Sequence, residues 1–414
     1  MARGASARGN WKSSKFRLSE KLQVGNQPIQ SISIIVPVQD QEWSKFTVGL
    51  GADGWLIHSE HEFVLYPLFS DLLQTIMTES HSKLFDLIFG RWRSQILYAG
   101  VKLGIFDTLE EPKEASAIAQ ELGLDPNLSY RLLRALGSLE LLRESGDRKF
   151  SLTDTGQLLR SDHPTTLRGI VVLTEGREHY ALWKHLGDMV RDGRQNAFVR
   201  EFGQMAFDYA VEHPAYARAF DEAMSNHSCL QTDWTLEALK AYDFSKISHL
   251  CDVGGGQGHL LCSILAEYPF LKGTVLERAS VIANRQQLWA TKLNVGGRCE
   301  YVAGDMFGKI PKADAYIMKM ILHDWSDDEC ARILSNIRSV AANRSRVFIV
   351  EHIVPGPEKP HFSKLYDIQM MCWGTGRERT LDEYAALLRK GGWTYIQTWY
   401  PASGLIGVIE GTAA

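Results

Sequence analysis

The histidine in Lys319-Met320-Ile321-Leu322-His323-Asp324-Trp325 stands just beyond a strand-like apolar run over 315–320. At the carboxyl end of a parallel strand a side chain meets ligand rather than core. A phenol loses its proton near pH ~10. Chemistry on a phenolic oxygen at neutral pH therefore gains from a base, and imidazole titrates closest to neutrality. The plainer alternative is a histidine satisfied in the core or capping the next helix. Two acids hold comparable positions. Glu351 closes another strand-like run, and Glu378 lies in Gly376-Arg377-Glu378-Arg379-Thr380, ahead of a helix. A carboxylate on the far ring nitrogen of His323 would fix its tautomer and favour the imidazolium. Taken singly, either acid reads more readily as a salt-bridge residue. The cluster Asp324, Asp327, Asp328 and Glu329 invites a metal. However, Ser326-x-x-Glu329 is a capping box with acids in the first helical turn, and Thr380-x-x-Glu383 is a second. No metal is expected.

Asp252-Val253-Gly254-Gly255-Gly256-Gln257-Gly258 follows a strand and opens a helix. Glycines there let the backbone turn sharply and approach a ligand closely. The dinucleotide pattern G-x-G-x-x-G fails, because counting from Gly254 puts His259 in its last place. Gly254, Gly256 and Gly258 instead give G-x-G-x-G after an acid. That suits S-adenosylmethionine, which has no phosphates. Asp252 would meet the ammonium of its amino-acid tail. Glu277 ends the next strand, about 20 residues on, where an acid accepts ribose hydroxyls. Gly304-Asp305-Met306-Phe307 follows the third strand. Asp305 would accept from the adenine amino group, with Met306 and Phe307 flanking the ring.

These residues need a frame. From 247 onward strand-like runs (249–253, 274–277, 300–303, 315–320, 347–351) alternate with helical ones near 258–266, 280–293, 326–340 and 380–389. Such alternation predicts a parallel sheet with helices on both faces, closed by an antiparallel pair at 395–399 and 405–409. Segment 166–245 reads as aromatic-rich helices able to wall a pocket for a flat substrate. Before it come a helix over 77–100, a short helix 115–122, a second helix 127–140 and a hairpin 143–152. That is the winged-helix pattern, and Arg131 and Arg134 raise a DNA-binding reading. Leu132, Leu133, Leu136 and Leu139 on the same helix point to core instead. Residues 1–76 begin Arg/Ser-rich and acid-poor. They read as a disordered extension, a misplaced start ahead of Met77, or a transit peptide.

The 414 residues carry 45 Lys+Arg against 49 Asp+Glu, net −4, which gives no global pull toward nucleic acid or anionic membrane. No apolar run approaches the ~18 residues of a membrane span. Six scattered cysteines without a CxxC pair suit a reducing, cytoplasmic location.

The motifs DVGGGQGHL, GDMF, LHDWSDDEC, VEHIVPGP and GRERT together closely resemble the small-molecule S-adenosylmethionine-dependent O-methyltransferases of the caffeic-acid and hydroxyindole type. The resemblance runs from about Met77 to the C-terminus. It implies a Rossmann-like methyltransferase domain over 166–414. An N-terminal helical, winged-helix-like domain over 77–165 would build a homodimer, so no nucleic-acid partner is expected. It implies His323 as general base with Glu351 and Glu378 beside it, and Asp324 touching the substrate. It places Gly254, Glu277, Asp305, Met306 and Lys319 against S-adenosylmethionine. Met370 and Trp373 look like substrate-pocket lining, with core packing as the plainer reading. The leader is a departure from the family, and Glu277 stands where aspartate is usual. The implied activity is methyl transfer to a hydroxyl of a small aromatic molecule. The rivals are a metabolite-sensing DNA-binding regulator and an N- or C-methyltransferase of the same fold.

Overall fold

The computed structural model describes residues 79–413 apart from 284–287, and the backbone of three strands in the leader. The chain divides into two compact units, Met1–Ile88 and Phe89–Ala414. In the first, Ser31–Val38, Glu42–Gly51 and Gly54–His58 form an antiparallel meander. Pro37 is tolerated because its strand lies at the edge. The rest of the leader, with the expectations about disorder, start site and targeting, lies outside the described residues. The helix expected over 77–100 is broken at Phe89 into Glu79–Ile88 and Gly90–Lys102.

In the second unit, Ala115–Leu122 ends at Gly123, whose φ of 65° a glycine adopts freely. Asp125 then caps Pro126–Ser138, its side chain accepting from the Leu128 N–H at 2.8 Å. Leu133 and Leu136 are fully buried with Phe106, Ile118 and Phe150, so this face of the helix is core. Arg131 and Arg134 are exposed. The hairpin Leu142–Ser145 and Lys149–Leu152 joins Lys113–Glu114 in a small sheet.

The main sheet has seven strands. We label them β1 (His249–Val253), β2 (Lys272–Glu277), β3 (Cys299–Ala303), β4 (Ala315–Lys319), β5 (Arg346–Glu351), β6 (Trp393–Trp399) and β7 (Gly407–Ala413). Their order is β6-β7-β5-β4-β1-β2-β3. Strands β1 to β5 are parallel, and β7 runs antiparallel to both its neighbours. Side chains alternate across the sheet. Leu250, Ile317, Phe348 and Val350 face helices α1 (Pro214–Leu239) and α2 (His259–Glu267). Cys251, Met318, Val347 and Ile349 face α3 (Asp327–Val340) and α5 (Leu381–Lys390). Between these, α4 (Phe362–Trp373) packs its Met370 and Trp373 on the aromatic helical layer of Phe198 and Tyr216.

The chain runs from β1 outward to β3, then returns to place β4 on the other side of β1. The carboxyl ends of β1 and β4 therefore flank the crevice where such sheets bind ligands. Among the described residues the expected helix over 280–293 is helical at Ala279–Ile282 and Trp289–Lys292 and interrupted by extended backbone at Leu288. The Trp289 N–H donates to the Gln257 carbonyl at 3.1 Å rather than to a preceding helical turn. The last strand begins later than expected, at Gly407, because it pairs along its length with β5 and β6.

Candidate active site

A cavity of about 550 Å³ opens at this switch point. Its cofactor-like end is built by β1 and the loop after it. Gly254 and Gly256 hold φ of 73° and 56°, and a Cβ on Gly254 would fall 2.6 Å from Ile321 Cδ1. Asp252 is 1% exposed, and its Oδ2 is buried without a hydrogen-bond partner. Burial pushes its pKa up to about 7, although Lys319 opposes the rise. The Lys319 ammonium donates to Ser228 Oγ (3.2 Å) and Gln231 Oε1 (3.4 Å) on α1. Its burial lowers its pKa, with Asp252 opposing. An unpartnered buried carboxylate oxygen beside a glycine cradle fits a ligand with an ammonium group. S-adenosylmethionine has one.

The other expected cofactor residues stand back from the lining of the cavity. Glu277 accepts from the Gly256 N–H (3.1 Å) and the Arg278 N–H (2.7 Å), which ties it to the glycine loop. Gly258, at φ 85°, lies under the Tyr301 hydroxyl. Asp305 is exposed and accepts from the Phe307 N–H at 2.9 Å. Met306 packs against the core on the α3 face.

At the other end, β4 runs into a turn in which Met320 adopts φ 54°, a strained conformation for a side-chain-bearing residue. The turn delivers His323, 6% exposed, into the cavity wall. Its Nδ1 lies 2.9 Å from Glu378 Oε1 and 3.9 Å from Glu351 Oε2, and its Nε2 lies 3.6 Å from Asp324 Oδ1. Ionised carboxylates only accept, so Nδ1 keeps a proton to give Glu378, and Nε2 is the atom that gains or loses one. Burial pulls the imidazole pKa down. Glu351, Asp324 and Glu378 together outweigh it and hold it at about 10. Burial lifts Glu351 to about 7 and Asp324 to about 6, with His323 opposing both. Glu351 Oε1 also accepts from the Ile321 and Leu322 N–H groups at 3.1 and 2.8 Å. It thereby fixes the turn that carries His323. Ligand atoms of His323, Glu351 and Glu378 lie within 4.8 Å of one another, a spacing a cation could also use. A cation on Nδ1 would have to displace its hydrogen bond to Glu378.

Both capping boxes form as expected, Ser326 with Glu329 and Thr380 with Glu383. Met370 and Trp373 are 4% and 9% exposed in the aromatic core, and both border the cavity. Trp373 stacks on Phe220 at 5.9 Å.

Arg379 went unnoticed in the sequence, where it is merely the residue between Glu378 and a capping threonine. It is fully buried. Its Nη1 donates to the Leu322 carbonyl (2.9 Å), its Nη2 to the Trp325 carbonyl (2.7 Å) and its Nε to Asp327 (2.9 Å). These bonds clamp the turn that carries His323 from both sides. A Cβ on Gly376 would overlap the His323 carbonyl oxygen, so the Gly376–Thr380 segment lies directly on that turn.

Residues 183–394 match the O-methyltransferase domain family and residues 85–162 the O-methyltransferase dimerisation domain family. The chain is 33% identical over 331 residues to the phenazine O-methyltransferase of Lysobacter antibioticus, covering 80% of this chain and 95% of that protein. Human N-acetylserotonin methyltransferase, solved in complex with S-adenosylmethionine, superposes with a TM-score of 0.73 at 27% identity, covering 82% of this chain and 99% of that one. The N,N-8-amino-8-demethyl-D-riboflavin dimethyltransferase of Streptomyces davawensis superposes with a TM-score of 0.71 at 28% identity, covering 82% of this chain and 100% of that one.

Proposed function

The chain belongs to the O-methyltransferase family that draws its methyl group from S-adenosylmethionine, and on that premise we propose that it methylates a hydroxyl of a small aromatic molecule, with His323 as general base. One observation carries this reading: a buried imidazole with Nδ1 held by Glu378 shares one cavity with the glycine loop and the unpartnered oxygen of Asp252.

S-adenosylmethionine supplies an electrophilic methyl group on a sulfonium. Asp252, Gly254, Gly256 and Lys319, with Gly258 behind them, would hold its amino-acid end, and Glu277, Asp305 and Met306, set back from the cavity lining, its nucleoside end. Met370 and Trp373 flank the aromatic substrate, and Asp324 contacts its hydroxyl. His323 Nε2 takes the hydroxyl proton while Glu378 and Glu351 stabilise the resulting imidazolium. Raising the imidazole to about 10 matches it to a phenol, so the proton moves with little free-energy difference. Positioning two reactants is worth roughly 7–11 kcal/mol, and the base roughly 10²–10⁴ in rate. Residues 77–165 form the dimerisation domain of a homodimer and residues 166–414 the catalytic domain. The riboflavin dimethyltransferase neighbour makes nitrogen the competing acceptor, and a nitrogen with a free lone pair needs no base.

The test uses S-adenosylmethionine with an isotopically labelled methyl group and a panel of hydroxyindoles, catechols, flavonoids and hydroxyphenazines, with products located by mass spectrometry. O-methylated product is expected. Label found only on nitrogen overturns the reading. So does absence of transfer from bound S-adenosylmethionine, joined to salt-dependent retardation of DNA.

A further inference from the structure

A chain of hydrogen bonds away from the catalytic cluster ends at the same cavity. Trp373 Nε1–H, which can only donate, gives its proton to the Tyr216 oxygen at 3.5 Å. That hydroxyl stands 3.1 Å from His179 Nε2. Tyr216 is 4% exposed, and an unpaired hydroxyl proton there would be costly. Every group is paired if Tyr216 donates to His179 Nε2. The imidazole of His179 is kept neutral because burial pulls its pKa down to about 4. Its one proton then sits on Nδ1, which lies 3.4 Å from the amide atom of Gln369 placed as Nε2. A glutamine's oxygen and nitrogen exchange places by a half-turn of the amide, so the proton count sets its orientation. Nδ1–H donates to the Gln369 oxygen, and the amide N–H₂ turns to the cavity that Gln369 and His179 both border.

We propose that Gln369 is a specificity-determining hydrogen-bond donor that recognises an uncharged acceptor, a ketone or quinone oxygen or an imine-type ring nitrogen, on the aromatic substrate away from the methylated hydroxyl. The placement supports a second anchoring point. Gln369 lies on α4 three residues after Tyr366, about 5 Å along the helix. The Tyr366 ring is 6.0 Å from that of His323. The neutrality of the acceptor follows from the surroundings. Lys319 is the one lysine or arginine among the described residues lining the cavity, and it belongs to the Asp252 end. Asp221 and Asp324 also line the cavity and disfavour a carboxylate. The inference rests on the aromatic-hydroxyl reading above.

The experiment measures equilibrium binding to the protein saturated with S-adenosylhomocysteine. The probes are isomeric hydroxyanthraquinones, the matching hydroxyanthracenes and a hydroxyanthracene carboxylate. At least one quinone is expected to bind about tenfold tighter than its hydrocarbon partner, the worth of a buried hydrogen bond whose donor is otherwise left unpaired. Both Gln369→Met, which has no donor, and Gln369→Glu, which only accepts, should collapse that ratio to within about twofold. S-adenosylhomocysteine affinity should be unchanged, which reports a folded site. The inference is overturned if no quinone is preferred, if the carboxylate binds tightest, or if the preference survives in Gln369→Met. Turnover of the same compounds is read separately. Failure to methylate any phenol contradicts the proposed function, whereas the Gln369 preference is read from binding alone.

Discussion

Glu378→Gln keeps the size of the side chain and removes the charge on His323 Nδ1, which makes it the sharpest perturbation of the base. Two effects follow. The rise of the imidazole from its ordinary 6.5 to about 10 is worth about 5 kcal/mol in base strength. Glu351, Asp324 and Glu378 share it. Losing even a third of it costs about 1.6 kcal/mol. Above pH ~10 that is roughly 15-fold in rate if the proton is fully transferred at the transition state, whereas near pH ~7 the larger unprotonated fraction of the weaker base offsets it. The second effect is tautomeric. A glutamine amide can donate to Nδ1 at the 2.9 Å now spanned to Glu378. The proton would then move to Nε2, and no lone pair would remain for the substrate. The tautomeric effect carries a predicted fall of about 10²–10⁴ in single-turnover methyl transfer. S-adenosylmethionine affinity by calorimetry should stay within about twofold, because Glu378 lies outside the lining of the cavity. A Glu378→Gln protein that binds the cofactor and transfers methyl within about threefold of wild type would refute the base assignment and the role of the carboxylate together.

Three further outcomes are expected. A base is active only when unprotonated, and His323 is held at about 10. The rate should therefore climb about tenfold per pH unit from 7 toward 10, and a limb near 6.5 would contradict this. Glu351 rises from 4.5 to about 7 on folding. The stability this group contributes is present below pH 4.5 and is lost as pH rises through 7, by at most about 3 kcal/mol. The decline in Tm between pH 5 and 8 should thus be shallower in Glu351→Gln, and parallel declines would count against it. Gly254→Ala forces a Cβ to 2.6 Å from Ile321 Cδ1 at φ 73°. It should weaken S-adenosylmethionine binding at least about tenfold, and an unchanged Kd would remove the glycine loop from the cofactor site.

The parallel strands were legible because burial on both faces makes them near-continuous apolar runs ending in chemistry-bearing residues. His249–Val253, for example, runs straight into the glycine loop. The capping boxes were legible because a cap is a local bargain between neighbours three residues apart. His323 and Glu378 were visible as candidates that strand ends could bring together, but 55 residues separate them, and the sequence alone left Glu378 open to a salt-bridge reading. The helix expected over 280–293 is interrupted at Leu288 for a tertiary reason, since the glycine loop takes the Trp289 N–H. Arg379 was missed because a buried arginine is paired with main-chain carbonyls, which carry no sequence signature. The link from Gln369 to His179 spans 190 residues. Helical periodicity says that a face is buried without saying which cavity it borders.

The most direct measurement is methyl transfer by His323→Ala, made beside its affinity for S-adenosylmethionine. The account predicts a Kd within about twofold of wild type and O-methyl transfer to an accepted phenol reduced by about 10² or more. Transfer at the wild-type rate with cofactor bound would contradict it.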